Sequence, residues 1–166
     1  MRAPPEIQTE RLVLRPMRAE DFPAYAAMMA TDRARFMGGP FDERAAWGLF
    51  CHDAAGWSLF GAGALMIEAQ GKIIGQTGFN SGPHFPEMEL GWFLYGPFEG
   101  HGYATEAAAA MLSWAFEART EESYVSYTDP ANTASQAVAA RLGGILDSEA
   151  PRQDPEDVVF RHRRPA

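Results

Sequence analysis

The feature that most constrains this chain is the junction after the apolar run Met88 to Leu94. There the sequence passes through Gly96-Pro97-Phe98 into Glu99-Gly100-His101-Gly102-Tyr103-Ala104 and then into an alanine-rich stretch ending at Ala118. In that stretch Ala104, Ala107, Ala108, Met111 and Ala115 recur at helical spacing, so a strand enters a glycine turn and leaves as a helix with a small-residue face that fits close to a sheet. The first N–H groups of such a helix have no internal partner and stand at the positive end of its dipole, which makes an anion, and phosphate above all, the natural guest. Glycines there let the backbone approach the oxygens. Two spaced glycines before a helix also occur as a plain tight connection, so the neighbouring residues have to decide.

They disfavour two phosphate-binding folds. A Walker loop carries Gly-Lys-[Ser/Thr] into the helix, where this chain has Ala104-Thr105-Glu106. A dinucleotide fingerprint needs a third glycine near Thr105 and the first strand of the chain, whereas this turn follows at least three strands. The periodicities predict a strand over Glu10 to Pro16, helices over Ala19 to Ala30 and Asp42 to about Ala54, and strands over Ser58 to Glu68 and Ile73 to Asn80 joined through Gly71. Further strands are expected over Met88 to Leu94, Tyr124 to Thr128, Ile145 to Glu149 and Val158 to His162, with a helix over Thr133 to Leu142 stopped by Gly143-Gly144. The expected fold is mixed α/β, or α+β, in a single domain over 1–166, a length that suits one core.

Fourteen Lys and Arg against twenty-two Asp and Glu give a net charge of -8, which disfavours nucleic acid and anionic membranes as partners. The single cysteine, Cys51, excludes an internal disulfide framework and fits a reducing compartment. Met1 to Arg18 holds no apolar run of signal type, and no stretch reaches the roughly 18 apolar residues of a membrane span, so a cytoplasmic location is expected. A homodimer is the expected form if the chain oligomerises, a dimer being the commonest oligomer.

The segment Glu99 to Ala107 resembles the pyrophosphate-binding motif of the GNAT N-acetyltransferases, at the strand-to-helix junction where that family carries it. Thr9-Glu10-Arg11-Leu12-Val13-Leu14-Arg15-Pro16, Glu89-Leu90-Gly91-Trp92, Asn132-Thr133-Ala134-Ser135 and Arg141-Leu142-Gly143 are similar, in this order, to the branch that acetylates ribosomal-protein N-termini. The resemblance implies a mainly antiparallel central sheet splayed at a β-bulge, helices on both faces, and acetyl-CoA wedged into the opening. It implies that backbone groups of Trp92, Phe93 and Leu94 hold the pantetheine arm, that the amides of Gly100, His101, Gly102, Tyr103, Ala104 and Thr105 hold the pyrophosphate, and that Asn132 contacts the arm. Two positions depart from the family pattern: Glu99 stands for the usual Gln or Arg and puts a carboxylate near the phosphates, and Gly144 stands for a core Phe.

Acetyl transfer to an amine needs a neutral nucleophile and a proton acceptor, directly or through water. Glu89 is the candidate base: period two sets it with Glu87 and Gly91 on the strand face opposite Leu90 and Trp92, where a plain exposed glutamate or an attractor of cations would also stand. The family's usual tyrosine acid falls at Ala139, and the ribosomal-protein branch implies Ser135 as the proton donor to the departing thiolate, at a helix start where small polar residues are common. Asn132 is a natural cap for the same helix. Tyr103 and Tyr127 are alternative donors, and packing explains either.

No pair among His52, His84, His101 and His162 has ligand spacing, so no metal is expected, and Cys51 beside His52 points elsewhere on a helix. Phe36, Phe41, Trp47, Phe50, Trp57 and Phe60 are candidates for the acceptor wall or for the core. The expected function is an acetyl-CoA-dependent N-acetyltransferase acting by direct attack on a peptide or small-molecule amine. A non-catalytic CoA-binding sensor or interaction module of the same fold is the alternative, and a nucleotide-binding oxidoreductase fits less well.

Overall fold

In the computed structural model, which describes residues 3–166, the chain forms one sheet of eight strands in the order β1-β2-β3-β4-β5-β6-β8-β7. The strands are β1 (Ile7–Gln8), β2 (Val13–Pro16), β3 (Ala64–Ala69), β4 (Lys72–Asn80), β5 (Glu89–Leu94), β6 (Ser123–Thr128), β7 (Ile145–Leu146) and β8 (Val158–Arg163). The α-helices are α1 (Phe22–Met29), α2 (Glu43–Phe60), α3 (Tyr103–Ala118) and α4 (Thr133–Arg141), and tight helical turns cover Ala19–Asp21, Asp32–Met37 and Gly96–Phe98. Every strand pairing is antiparallel except β5 with β6.

The first expected strand is shorter than its alternation suggests. Thr9 turns the chain back, accepting the Leu12 N–H on Oγ1 at 2.9 Å, so pairing starts at Val13 and Thr9 to Arg11 become a loop. The apolar run from Ser58 is corrected more strongly, because α2 continues to Phe60 and ends at Gly61 in the left-handed region, leaving β3 to begin at Ala64. Tertiary contact extends the helix: Trp57 donates its indole N–H to the Ala64 carbonyl at 2.8 Å and packs edge-on to Trp114 of α3. Gly56 lies so close to the Ala62 carbonyl that a Cβ would stand 2.8 Å from it. The last hairpin also shortens, with β7 ending at Leu146 because Asp147 starts a turn by accepting the Glu149 N–H.

Leu14, Leu65, Leu90, Met111, Ala115 and Tyr124 are buried in the main core between the sheet and α3. A second core joins Tyr25, Met28 and Met29 of α1 to Phe50 of α2, with Phe93 of β5 packed against it. Leu90, Trp92 and Leu94 therefore face the α3 side, and Phe93 faces α1 and α2. The buried pair Arg15–Asp21, bidentate at 2.7 and 2.9 Å, ties β2 to the start of α1.

The sheet opens between β5 and β6. They pair only at Glu89 opposite Val125, with the Val125 N–H donating to the Met88 carbonyl at 3.2 Å, and then separate toward their C-terminal ends. The register shift lies elsewhere than the resemblance implies: β5 keeps unbroken register with β4 from Glu89 to Leu94, while Ile74 of β4 stands unopposed between Ile67 and Glu68. The splay is a divergence of two parallel strands, each held by its outer neighbour.

Candidate active site

Two cavities lie in and around this opening. The larger, about 1060 Å³, is built on the turn before α3. Gly100 and Gly102 adopt φ of +81° and +78°, the left-handed region that glycine enters without strain. Gly102 is the N-cap of α3 and supplies no side-chain acceptor, so the first-turn amides at Tyr103, Ala104 and Thr105 are open to an external anion. The side of β5 facing β6 has no strand partner from Gly91 to Leu94, an edge that an extended amide-bearing chain can join.

Charge completes this groove. Arg33 and Arg35, from the turn Asp32–Met37, and Arg141, at the end of α4, all line it. Glu99, expected to repel phosphate, is paired with Arg33 at 2.5 Å, and Arg33 also donates to the Leu94 carbonyl at 2.9 Å. Glu106 is similarly answered: Arg11 holds it at 2.6 Å, Thr9 donates to it at 2.6 Å, and Arg11 donates to the His101 carbonyl at 2.8 Å while lying over the Tyr103 ring. The Thr9 to Arg11 loop thus latches the glycine turn. Its pairing holds the Glu106 carboxyl below the usual range: burial pushes up, and the bonds from Thr9 and Arg11 outweigh it. His101 has an exposed side chain outside the groove lining, and Trp92, Phe93, Leu94, Gly100, Gly102, Tyr103, Ala104, Thr105, Asn132 and Ser135 line it.

The second cavity, about 310 Å³, lies on the α1–α2 side of β5 and is lined by Glu89, Asp53, Gln76, Tyr25, Phe85 and Tyr127 among others. Glu89 stands opposite Asn80 across the β4–β5 ladder and accepts its side-chain N–H at 2.9 Å. Burial drives its pKa up to about 7 against that bond. Asp53, on α2, accepts from Gln76 at 2.6 Å and from the Tyr25 hydroxyl at 3.4 Å, and burial drives its pKa up to about 6. Among the described residues, no Lys or Arg lines this cavity.

Trp92, Phe93, Asn132 and Ser135 line both cavities, with Phe36 and Met37 completing the boundary. Asn132 caps α4 by accepting the Ser135 N–H at 3.2 Å, which fixes Ser135 in the first turn at the boundary. The Ser135 hydroxyl makes no hydrogen bond among the described residues. Tyr127 is engaged elsewhere, accepting the Glu87 N–H at 3.2 Å and donating to the Pro151 carbonyl at 3.3 Å. Ala139 is fully buried.

Of the aromatics expected at the acceptor wall, only Phe36 lines the smaller cavity; Phe50 and Trp57 are core, Phe41 packs against the second core, and Trp47 and Phe60 are exposed. Phe85, Phe93 and Tyr25 take their place. Asp53, Gln76 and Arg33 escaped sequence reasoning, although Asp53 carried a signal: Ala46, Phe50, Asp53 and Trp57 form one helical stripe, a carboxylate among core residues. Gly144 has a local cause, since a Cβ there would stand 2.8 Å from the buried His162 ring, which fills that space and bonds Ser126 at 3.0 Å. Cys51 is exposed. Among the described residues no group of three or more His, Cys, Asp or Glu is arranged to hold a metal ion, and no helix is long and apolar enough to cross a membrane.

Known proteins carry the same architecture. The family model described as acetyltransferase (GNAT) domain matches residues 11–145. An acetyltransferase of Agrobacterium tumefaciens strain C58, known from its crystal structure, is 53% identical, with 99% of this chain and 97% of that one covered at a TM-score of 0.95. RimL, the ribosomal L7/L12 alpha-N-protein acetyltransferase, in its complex with coenzyme A, shares the fold at 19% identity, with 96% and 98% covered and a TM-score of 0.78. YkkB of Bacillus subtilis (strain 168) is 35% identical over 75 residues, a match that spans 44% of each chain. With the glycine turn, the opened sheet and the family match in agreement over most of its length, this chain belongs to the GNAT acetyltransferase family.

Proposed function

We propose that the chain transfers acetyl from acetyl-CoA to a primary amine, on a small molecule or a peptide N-terminus, by direct attack without a covalent enzyme intermediate. The observation that carries this reading is that a groove lined by arginines and open amides meets a cavity lined by carboxylates at one boundary, Trp92, Phe93, Asn132 and Ser135. Acetyl-CoA supplies the thioester. The open amides of α3 and the arginines suit its pyrophosphate, and the free edge of β5 suits its pantetheine amides.

Within the acidic cavity Glu89 takes a proton from the incoming ammonium, directly or through water, leaving the nitrogen lone pair free for the carbonyl carbon. A carboxylate with pKa about 7 is matched to that work near neutral pH. As the new C–N bond forms and the C–S bond breaks, the nitrogen gives up its second proton and the thiolate takes one up through the Ser135 hydroxyl, so that CoA leaves as the thiol and the product as a neutral amide.

Thiol release from acetyl-CoA over a panel of amines and peptides tests the reading. Turnover on at least one amine, with N-acetyl product by mass spectrometry, is the expected outcome. Tight acetyl-CoA binding with no turnover on any acceptor would instead support a sensor that keeps the fold.

A further inference from the structure

The part of the acidic cavity beside Phe93 is built for a second cation: Gln76 stands opposite Phe93 in the β4–β5 ladder, four residues along the strand from the Asn80–Glu89 pair. Gln76 is 6% exposed; its side-chain amide donates to Asp53, and its carbonyl oxygen, Oε1, is buried without a partner among the described residues. The opposite amide assignment would set two oxygens 2.6 Å apart at Asp53, so the bonding itself selects this orientation. Asp53 Oδ2 takes both of that residue's hydrogen bonds, from Gln76 and Tyr25, and Oδ1 takes none among the described residues. Among the described residues, a carboxylate oxygen and an amide oxygen are thus left without donors in a cavity lined by no Lys or Arg. His52, its single basic lining residue, is exposed and lies against Phe85.

Two acceptors, one of them anionic, call for a group with several N–H donors and a positive charge, which an ammonium provides and a hydroxyl or methyl group does not. Resting on the acetyl-transfer reading, we propose that the acceptor is a primary amine carrying a second cationic nitrogen, bound by Asp53 and the Gln76 carbonyl while the attacking nitrogen lies at Glu89. Asp53 and Gln76 then set specificity and take no part in proton transfer. Tyr25 holds the Asp53 carboxylate in place from α1, and Phe85 and Phe93 line the same cavity.

Matched pairs test this on the CoA-loaded full chain: putrescine against butylamine and cadaverine against pentylamine, by calorimetric binding and by thiol release with acetyl-CoA. The diamine of at least one pair is expected to bind about tenfold or more tighter than its monoamine, and Asp53→Asn to erase the difference by raising the diamine KM with kcat nearly unchanged. Gln76→Leu, which removes the orphan oxygen and leaves the carboxylate, is expected to weaken diamines alone; circular dichroism and acetyl-CoA affinity check that each variant is folded. Equal affinity within both pairs, no binding of either diamine, or a preference that survives Asp53→Asn in a folded protein overturns the inference. Diamine-selective binding without thiol release would instead sink the transfer reading and leave the cation site standing.

Discussion

The arginine-lined groove and the carboxylate-lined cavity meet at Ser135, yet they are made of different materials. The groove is backbone: amides of a glycine turn, an unpaired strand edge and arginines that neutralise Glu99 and supply charge. The cavity is side chains: carboxyls and an amide contributed by α2, β4 and β5, short of donors. A backbone site is general, because any sequence that adopts the turn presents the same amides. A side-chain site is selective, because each acceptor placed in it favours one class of guest.

The strongest way to break the comparison is Glu89→Gln. A base acting only in the reaction is expected to cost about 10²- to 10³-fold in kcat with donor affinity unchanged. The parent kcat/KM should rise with pH through about 7 as Glu89 ionises, and the variant should lose that limb. The native state holds the Glu89 proton to higher pH than the unfolded chain does, so ionisation between the ordinary carboxylate range and pH 7 destabilises the fold. Melting at pH 8 should therefore show the glutamine variant more stable than the parent. A variant keeping full rate and the same pH limb removes Glu89 as the base.

Gly102→Val attacks the other half. A β-branched residue at φ of +78° is strained, and about 30- to 100-fold weaker acetyl-CoA binding is expected with amine binding to the free protein little changed. Loss of both together would show that the two sites are not separable. Arg141→Ala, which removes a groove arginine that has no ion pair among the described residues, should weaken acetyl-CoA by about tenfold and flatten the salt dependence of binding. The smallest effect is expected at the boundary: Ser135→Ala should lower kcat about three- to tenfold, because a hydroxyl bonded to sulfur contributes about 1 kcal/mol. Unchanged kcat would make Ser135 a cap residue alone.

The two sites also differed in how far they could be read from sequence. Gly100-His101-Gly102 followed by a small-residue helix announces a glycine turn into a helix locally, and that turn forms where the spacing placed it. Glu89 was legible because strand alternation sets its face, and Asn132 because capping is a short-range bond. Asp53 was hidden by the end of α2: with the helix expected to stop near Ala54, the stripe from Ala46 through Trp57 was cut before its last member. Arg33 sits in a short helical turn with no periodic signature, and its partner Glu99 lies 66 residues away.

The sequence by itself determined the order of elements from β2 onward, the glycine turn, the cap of α4 and the candidate base, because each rests on bonds or alternation within a few residues. Tertiary structure alone decided that α2 runs to Phe60, that the sheet opens by divergence of β5 and β6, and that Glu99 is neutralised by Arg33. It alone brought Asp53 to Gln76 and left an oxygen of each without a donor among the described residues. These depend on which distant surfaces meet and how much water they exclude, and no local pattern encodes that.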